Sequence, residues 1–171
     1  AVTGPKSFGI IAAITAVIFS GRVLLTVDQN LPPMRKNLMC REAKAKLLLH
    51  VGELNDDAQW SRNIFQSDYL IVEEDTGFAV NLERSPDLSQ TSLPEIYPDD
   101  AAYIFFTSGT TGVPKGVLGR HKGLSHFLTW QRDTFAVGTS DRCAQLTNLS
   151  FDVVLRDIFL PLVSGATLCL P

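Results

Sequence analysis

The chain has 171 residues, 45% of them hydrophobic and 19% charged, with a formal charge of −3. That much apolar surface is enough to build a core, which excludes disorder as the main state. The acidic balance excludes a nucleic-acid binder held by net positive charge. The three cysteines, Cys40, Cys143 and Cys169, are far apart and odd in number, so no disulfide framework uses all of them and a reduced, cytoplasmic setting is expected.

The charge is unevenly spread. Residues 1–51 carry seven basic and two acidic groups, residues 52–100 two basic and twelve acidic, and residues 101–171 six basic and four acidic. The acidic middle has no metal-ligand spacing and reads as a solvated face and loop.

In chain order, Phe8–Phe19 (FGIIAAITAVIF) is a charge-free run of twelve residues. It is too short to span a bilayer, Arg22 interrupts its extension, and no small-x-small cleavage site follows. It reads instead as a buried helix capped by Ser7 and ending near Ser20, with Gly21 as the stop and Val23–Val27 as a buried strand. Leu31-Pro32-Pro33 opens a second helix with Met34, Leu38, Met39 and Ala43 on its apolar side. Lys46–His50 is a strand, Asp56–Phe65 an amphipathic helix and Tyr69–Val72 another strand. Such alternation predicts an α/β fold with mostly parallel sheets and flanking helices.

Ser85–Pro98, with three prolines, reads as a linker-like loop between a segment at 1–84 and one at 99–171. Ala102–Phe106 and Gly116–Gly119 are strands, so residues 107–115 bridge them. His121–Phe135 is a helix with Leu124, Phe127, Leu128 and Phe135 on its apolar face. Cys143–Leu146 is a strand. Asp152–Val163 is a helix apolar nearly all round, hence expected to be deeply buried. Gly165 ends it, and Ala166–Leu170 is the last strand.

The stretch from Thr107 to Gly116, TSGTTGVPKG, concentrates the chemistry. It holds four hydroxyls, three glycines and one lysine in ten residues. Glycines let backbone approach a ligand, successive N–H groups can cradle an anion, hydroxyls add donors, and Lys115 adds a mobile charge. It is not a Walker-type P-loop, because Pro114 precedes the lysine and a strand, not a helix, follows.

This string resembles the phosphate-loop signature of the adenylate-forming superfamily, which includes acyl-CoA synthetases, luciferases and the adenylation domains of nonribosomal peptide synthetases. The flanking residues are most similar to the last group. Asp99–Phe106 resembles the strand that leads into the loop. Ser20-Gly21 through Asp28–Arg35 resembles a Gly…Asp-Pro-x-x-Pro-x-x-Arg segment, with Gln29 in place of the usual Pro. Ser150-Phe151-Asp152 resembles the Phe-Asp that opens the amino-acid pocket.

The resemblance implies a partial N-terminal subdomain of an adenylate-forming enzyme, expected to be a fragment inactive by itself and prone to association through open sheet edges. It implies an activity that joins a carboxylic acid to ATP with Mg2+, releases pyrophosphate, and passes the acyl group to phosphopantetheine on a peptidyl carrier domain. Neither nucleic acid nor membrane is an expected partner. It implies that Thr107, Ser108, Gly109, Thr110, Thr111, Gly112 and Lys115 line the ATP phosphates, and that Asp152 anchors the substrate α-amino group. Ligands for magnesium are expected outside this chain, and no metal site or certain catalytic residue within it.

Asp152 is also a good helix N-cap by itself. Arg156 stands where amino-acid adenylation domains often carry Trp. It either pairs with Asp152 at i,i+4 or accepts an acidic substrate group, and the segment Arg156–Leu162 resembles α-aminoadipate reductases. The alternatives to a peptide synthetase are an acyl-CoA ligase, an aminoadipate-reductase-like enzyme, and a nucleotide-binding fragment without catalysis.

Overall fold

The chain is described by a computed structural model over residues 1–53, 59–65, 68–80, 92–107 and 114–171. Its elements are β1 (Val2–Thr3), α1 (Phe8–Phe19), β2 (Leu24–Leu25), α2 (Pro33–Glu42), β3 (Leu48–Val51), α3 (Gln59–Phe65), β4 (Tyr69–Val72), β5 (Ala101–Thr107), β6 (Lys115–Arg120), α4 (His121–Phe135), β7 (Arg142–Ala144), α5 (Val153–Ser164) and β8 (Thr167–Cys169). The α/β alternation expected from sequence is present.

Strands β1, β3 and β4 form one all-parallel sheet in the order β1-β3-β4, and β2, β5 and β6 form a second, mixed sheet in the order β2-β5-β6. A parallel bridge between Val2 and Thr26 joins them, with the Val27 N–H donating to the Val2 carbonyl at 2.9 Å. The row therefore reads β4-β3-β1-β2-β5-β6, antiparallel only between β5 and β6. β7 and β8 pair in parallel as a separate two-stranded sheet.

Neighbouring strand residues point to opposite faces, and the core divides accordingly. Leu24, Leu49 and Val72 join Ile10, Ile14 and Ile18 of α1 together with Val154, Leu155 and Ile158 of α5. Leu25, Val27 and Leu48 join Met39, Cys40, Trp60 and Phe65 of α2, α3 and their flanks. So α1 covers one face of the β1-β3 region, and α2 and α3 cover the other.

Local signals account for the helix limits. Ser7 has extended backbone, and its hydroxyl accepts the Ile10 N–H at 3.3 Å, capping α1. Gly21, at φ 66°, then takes the chain out of the helix in a conformation that favours glycine.

Several expectations change. β1 is too short for a periodic signal to reveal it. Only Leu24–Leu25 of Val23–Val27 is regular strand. On α2 the inward side is Lys36, Met39 and Cys40, whereas Met34 is 84% exposed. Lys36 takes that place because its ammonium lies over the Trp60 ring, 5.4 Å from the centroid, and donates to the Gln29 carbonyl at 2.6 Å. Helix α5 is buried on one side only, through Val154, Leu155, Ile158 and Phe159, while Leu162 and Val163 are exposed. On α4 Leu128 is buried, but Phe127 and Phe135 are exposed; Phe127 stacks on Trp130 and Phe135 meets it edge-on instead of entering the core.

Of the helix expected at 56–65, residues 56–58 lie outside the described residues, as do 85–91 of the expected linker. Residues 92–98 form neither helix nor strand. The segments on either side of that linker share one sheet, because β2 pairs with β5.

Candidate functional site

The loop of interest joins two strands paired antiparallel, with Thr107 directly opposite Lys115 and Phe106 opposite Gly116. It is a hairpin connection whose two ends are held on one rung, with the Thr107 hydroxyl donating to the Lys115 carbonyl at 3.5 Å. Both side chains are exposed at its base. Ser108, Gly109, Thr110, Thr111 and Gly112 lie outside the described residues.

The hairpin can form because β5 is rich in aromatic and branched residues and because Gly119 faces Tyr103. A Cβ on Gly119 would collide with the tyrosine ring. That ring lies edge-on to Phe105, 5.6 Å between centroids. Tyr103, Phe105 and Thr107 alternate along one face of β5.

Tyr103 leads from the hairpin to the other predicted residues. It lines a cavity of about 160 Å3 with Gly123, Leu124 and Phe127 of α4, and with Asp152, Val153, Leu155 and Arg156 around the start of α5. Burial, and then the Asp152 carboxylate, push the Tyr103 phenol above its ordinary value. Asp152 stands at the N-cap position but has helical backbone (φ −58°, ψ −29°), and its side chain makes no capping bond. It is exposed, so its carboxylate is available to a ligand.

Arg156 does not pair with Asp152, the partner that helical spacing suggested. Its Nε and Nη2 donate to Asp157 Oδ1 at 3.1 and 2.7 Å. Asp157 is only 7% exposed, and its Oδ2 accepts from the Thr147 hydroxyl at 2.6 Å and the Thr147 N–H at 3.2 Å. Burial pushes the Asp157 carboxyl up, but the Thr147 and Arg156 donors outweigh it and hold the group below the ordinary carboxylate range. The Arg156 side chain is 40% exposed, and its guanidinium keeps donors for a further acceptor.

The start of α5 is fastened by the far end of the chain. Thr26 Oγ1 donates to the Leu149 carbonyl, and the Asp28 N–H donates to Ser150 Oγ at 3.0 Å. Lys6 Nζ donates to the carbonyls of Gln145 and Leu146 at 3.3 and 2.9 Å.

Of the predicted residues, the structure brings Asp152 and Arg156 into one cavity, and Thr107 and Lys115 onto one rung. Sequence reading missed Tyr103, Gly123 and Phe127, whose meeting depends on how α4 packs against β5. It also missed Asp157 and Thr147. Residues i and i+1 on a helix do not ordinarily face each other, so spacing gave no signal for the Arg156–Asp157 pair.

The sequence profile of the AMP-binding enzymes matches residues 1–171, and the chain belongs to that family. Tyrocidine synthase 3 from Brevibacillus parabrevis is 34% identical over 173 residues, a match covering 100% of this chain and 2% of that protein. The nonribosomal peptide synthetase FmoA3 in its AMPPNP-bound form superimposes with a TM-score of 0.77 at 29% identity, over 99% of this chain and 17% of that one. An NRPS protein containing adenylation and PCP domains gives a TM-score of 0.77 at 25% identity, over 99% and 31%. The chain thus spans a few per cent of the length of the curated relatives it matches. Among the described residues no helix is long and apolar enough to cross a membrane.

Proposed function

We propose that the chain is part of an amino-acid-activating adenylation domain of a nonribosomal peptide synthetase. In this reading the substrate carboxylate attacks the α-phosphorus of ATP, pyrophosphate leaves, and aminoacyl-AMP is formed. The acyl group then passes to the phosphopantetheine thiol of a carrier domain. ATP enters with Mg2+, whose charge offsets that of the phosphates. Thr107, Ser108, Gly109, Thr110, Thr111, Gly112 and Lys115 hold the β- and γ-phosphates, and Asp152 takes the substrate ammonium.

The observation that carries the reading is the rung pairing Thr107 with Lys115. It gathers a hydroxyl and an ammonium at the mouth of a glycine-rich loop, on a strand that also delivers Tyr103 to the Asp152 cavity. Donors fixed in advance stabilise developing charge without reorganising during the reaction. The AMPPNP-bound relative supports the nucleotide assignment, and the relative with adenylation and PCP domains supports a carrier partner.

Arg156 adds a substrate class. In this cavity an acidic side chain, or another anion, shares the guanidinium with Asp157, which already holds it in place.

Pyrophosphate exchange by the protein containing this chain, run against a panel of L-amino acids, tests the function. Exchange driven by amino acids is the expected result, with acidic ones preferred. Exchange driven only by fatty or aryl acids favours an acyl-CoA ligase. Exchange confined to α-aminoadipate favours a reductase-like enzyme. Nucleotide binding without exchange favours a non-catalytic role.

A further inference from the structure

Asp152 and Arg156 carry opposite charges, stand one helical turn apart at the start of α5 and line one cavity, yet they are not paired. Their spacing ordinarily brings an acid and an arginine together. A pair here would cancel both groups, because the carboxylate and the guanidinium would satisfy each other and leave no charge for a ligand.

The contact that keeps them apart runs through Asp157 to Thr147. Arg156 Nε and Nη2 both donate to Asp157 Oδ1, at 3.1 and 2.7 Å. These two nitrogens form the side edge of the guanidinium fork. Nη1 and the second N–H of Nη2 form the end edge, which makes no hydrogen bond among the described residues and matches the two oxygens of a carboxylate. Asp157 cannot follow the arginine toward Asp152. Its side chain is 7% exposed, and its Oδ2 accepts from the Thr147 hydroxyl at 2.6 Å and the Thr147 N–H at 3.2 Å.

Thr147 is fixed in turn. Gln145, one residue past β7 and 1% exposed, donates its Nε2 to the Thr147 carbonyl and its N–H to the Cys169 carbonyl of β8 at 2.9 Å. The N–H, carbonyl and hydroxyl of Thr147 are thus all engaged, and Thr147 does not line the Asp152 cavity. Removing its hydroxyl leaves Asp157 only the longer of the two bonds.

We infer that Thr147 is a positioning residue: through Asp157 it holds Arg156 off Asp152, so that both charges of the cavity stay open to a substrate. The inference rests on the reading of this cavity as the substrate pocket, and it adds a residue outside the pocket that sets its specificity.

Thr147→Val removes the hydroxyl and keeps the side-chain shape. In pyrophosphate exchange by the protein containing this chain, it is expected to raise KM for acidic amino acids about tenfold or more, as loss of a charge-assisted hydrogen bond does. A smaller rise is expected for apolar amino acids, because Arg156 then engages Asp152, with kcat and the KM for ATP unchanged. Thr147→Ser restores both values, and Asp157→Asn repeats the pattern of Thr147→Val. In an Arg156→Gln background Thr147→Val leaves the KM for apolar amino acids unchanged, since no arginine remains to reach Asp152. Circular dichroism checks that the variants keep the fold. A second readout needs no turnover. With 15N-labelled arginine, the Arg156 Nε–H resonance, assigned by its loss in Arg156→Gln, should be indifferent to Asp152→Asn in the parent and shift with it in Thr147→Val. A parent that shows no exchange with amino acids fails the functional reading and leaves the resonance to decide the inference. An unchanged KM for acidic amino acids in Thr147→Val overturns it. So does a Thr147→Ser variant as defective as Thr147→Val, an equal effect on apolar amino acids in the Arg156→Gln background, or a resonance indifferent to Asp152→Asn in Thr147→Val.

Discussion

Gly119 lies opposite Tyr103 in the β5–β6 pair, and the absence of a side chain at 119 lets the tyrosine ring lie across the neighbouring strand. Gly119→Ala forces that ring off its site. A loss of about 1–3 kcal/mol is expected in urea unfolding, the usual cost of overpacking. Gly116→Ala is the control, because a Cβ there meets Phe106 at 3.4 Å, an ordinary contact. Equal stability of the two variants would show that the Tyr103 placement is wrong.

Asp157 predicts a pH dependence. Its carboxyl is held below the ordinary value of 3.8 by the Thr147 and Arg156 donors. A group with a depressed folded pKa contributes stability that is fully present above its unfolded value and is lost as pH falls through the folded one. Asp157→Asn is therefore expected to cost about 1–3 kcal/mol at neutral pH, with the gap to the parent closing below about pH 4. A gap independent of pH would contradict the ionised pairing.

Asp152 and Arg156 predict different kinetic defects. Asp152→Asn removes the partner of the substrate ammonium and is expected to lower kcat/KM in pyrophosphate exchange by roughly 10- to 100-fold for amino acids. It should leave the KM for ATP unchanged. Arg156→Trp is expected to abolish any preference for acidic substrates while exchange with apolar ones persists. An unchanged substrate profile removes Arg156 from the pocket's chemistry.

Gly123 separates cavity from core. A Cβ there meets nothing within 4 Å, although the residue lines the Asp152 cavity. Gly123→Ala is expected to stabilise α4 by about 0.5–1 kcal/mol. Gly123→Leu should fill the cavity and raise the KM for bulky substrates without unfolding the protein. Thermal unfolding and exchange kinetics on the two variants check both parts.

Cys40 is buried, and burial raises its thiol pKa to about 11. Thiol labelling at pH 8 is expected to modify Cys143 and Cys169 first and to reach Cys40 only when the protein unfolds, since the thiolate is the reactive form. Early labelling of Cys40 would mean that the packing of α2 on β3 is looser than described.

Strongly patterned segments could be read before the structure. α1 announces itself by an unbroken apolar run between Ser7 and Gly21, and the hairpin by two short strands around a string of glycines and hydroxyls. Helix α2 was misread because Met34 is apolar and Lys36 charged, yet a lysine with a tryptophan face and a carbonyl within reach is as easily buried. Packing on α4 and α5 was overstated for a related reason. Composition says that Phe135 or Val163 is apolar, whereas burial depends on which elements lie across from it. At the site, Asp152 and the loop were legible as local strings. Tyr103, Gly123 and the Asp157–Arg156 pair were not, because they depend on strand register, on helix packing and on a contact between adjacent helix residues that spacing does not predict.

Thr26 and Asp28 hold Leu149 and Ser150 across 123 and 122 residues of chain. The carboxylate at Asp152 therefore takes its position from the end of β2 as much as from its own helix. Thr26→Val should register as a kinetic defect before it registers as a loss of stability. Across relatives, a side-chain donor at 26 and an acceptor at 150 should persist whatever stands at 28 and 149, which contribute only backbone groups, as two halves of one mounting bracket separated only in the order of synthesis.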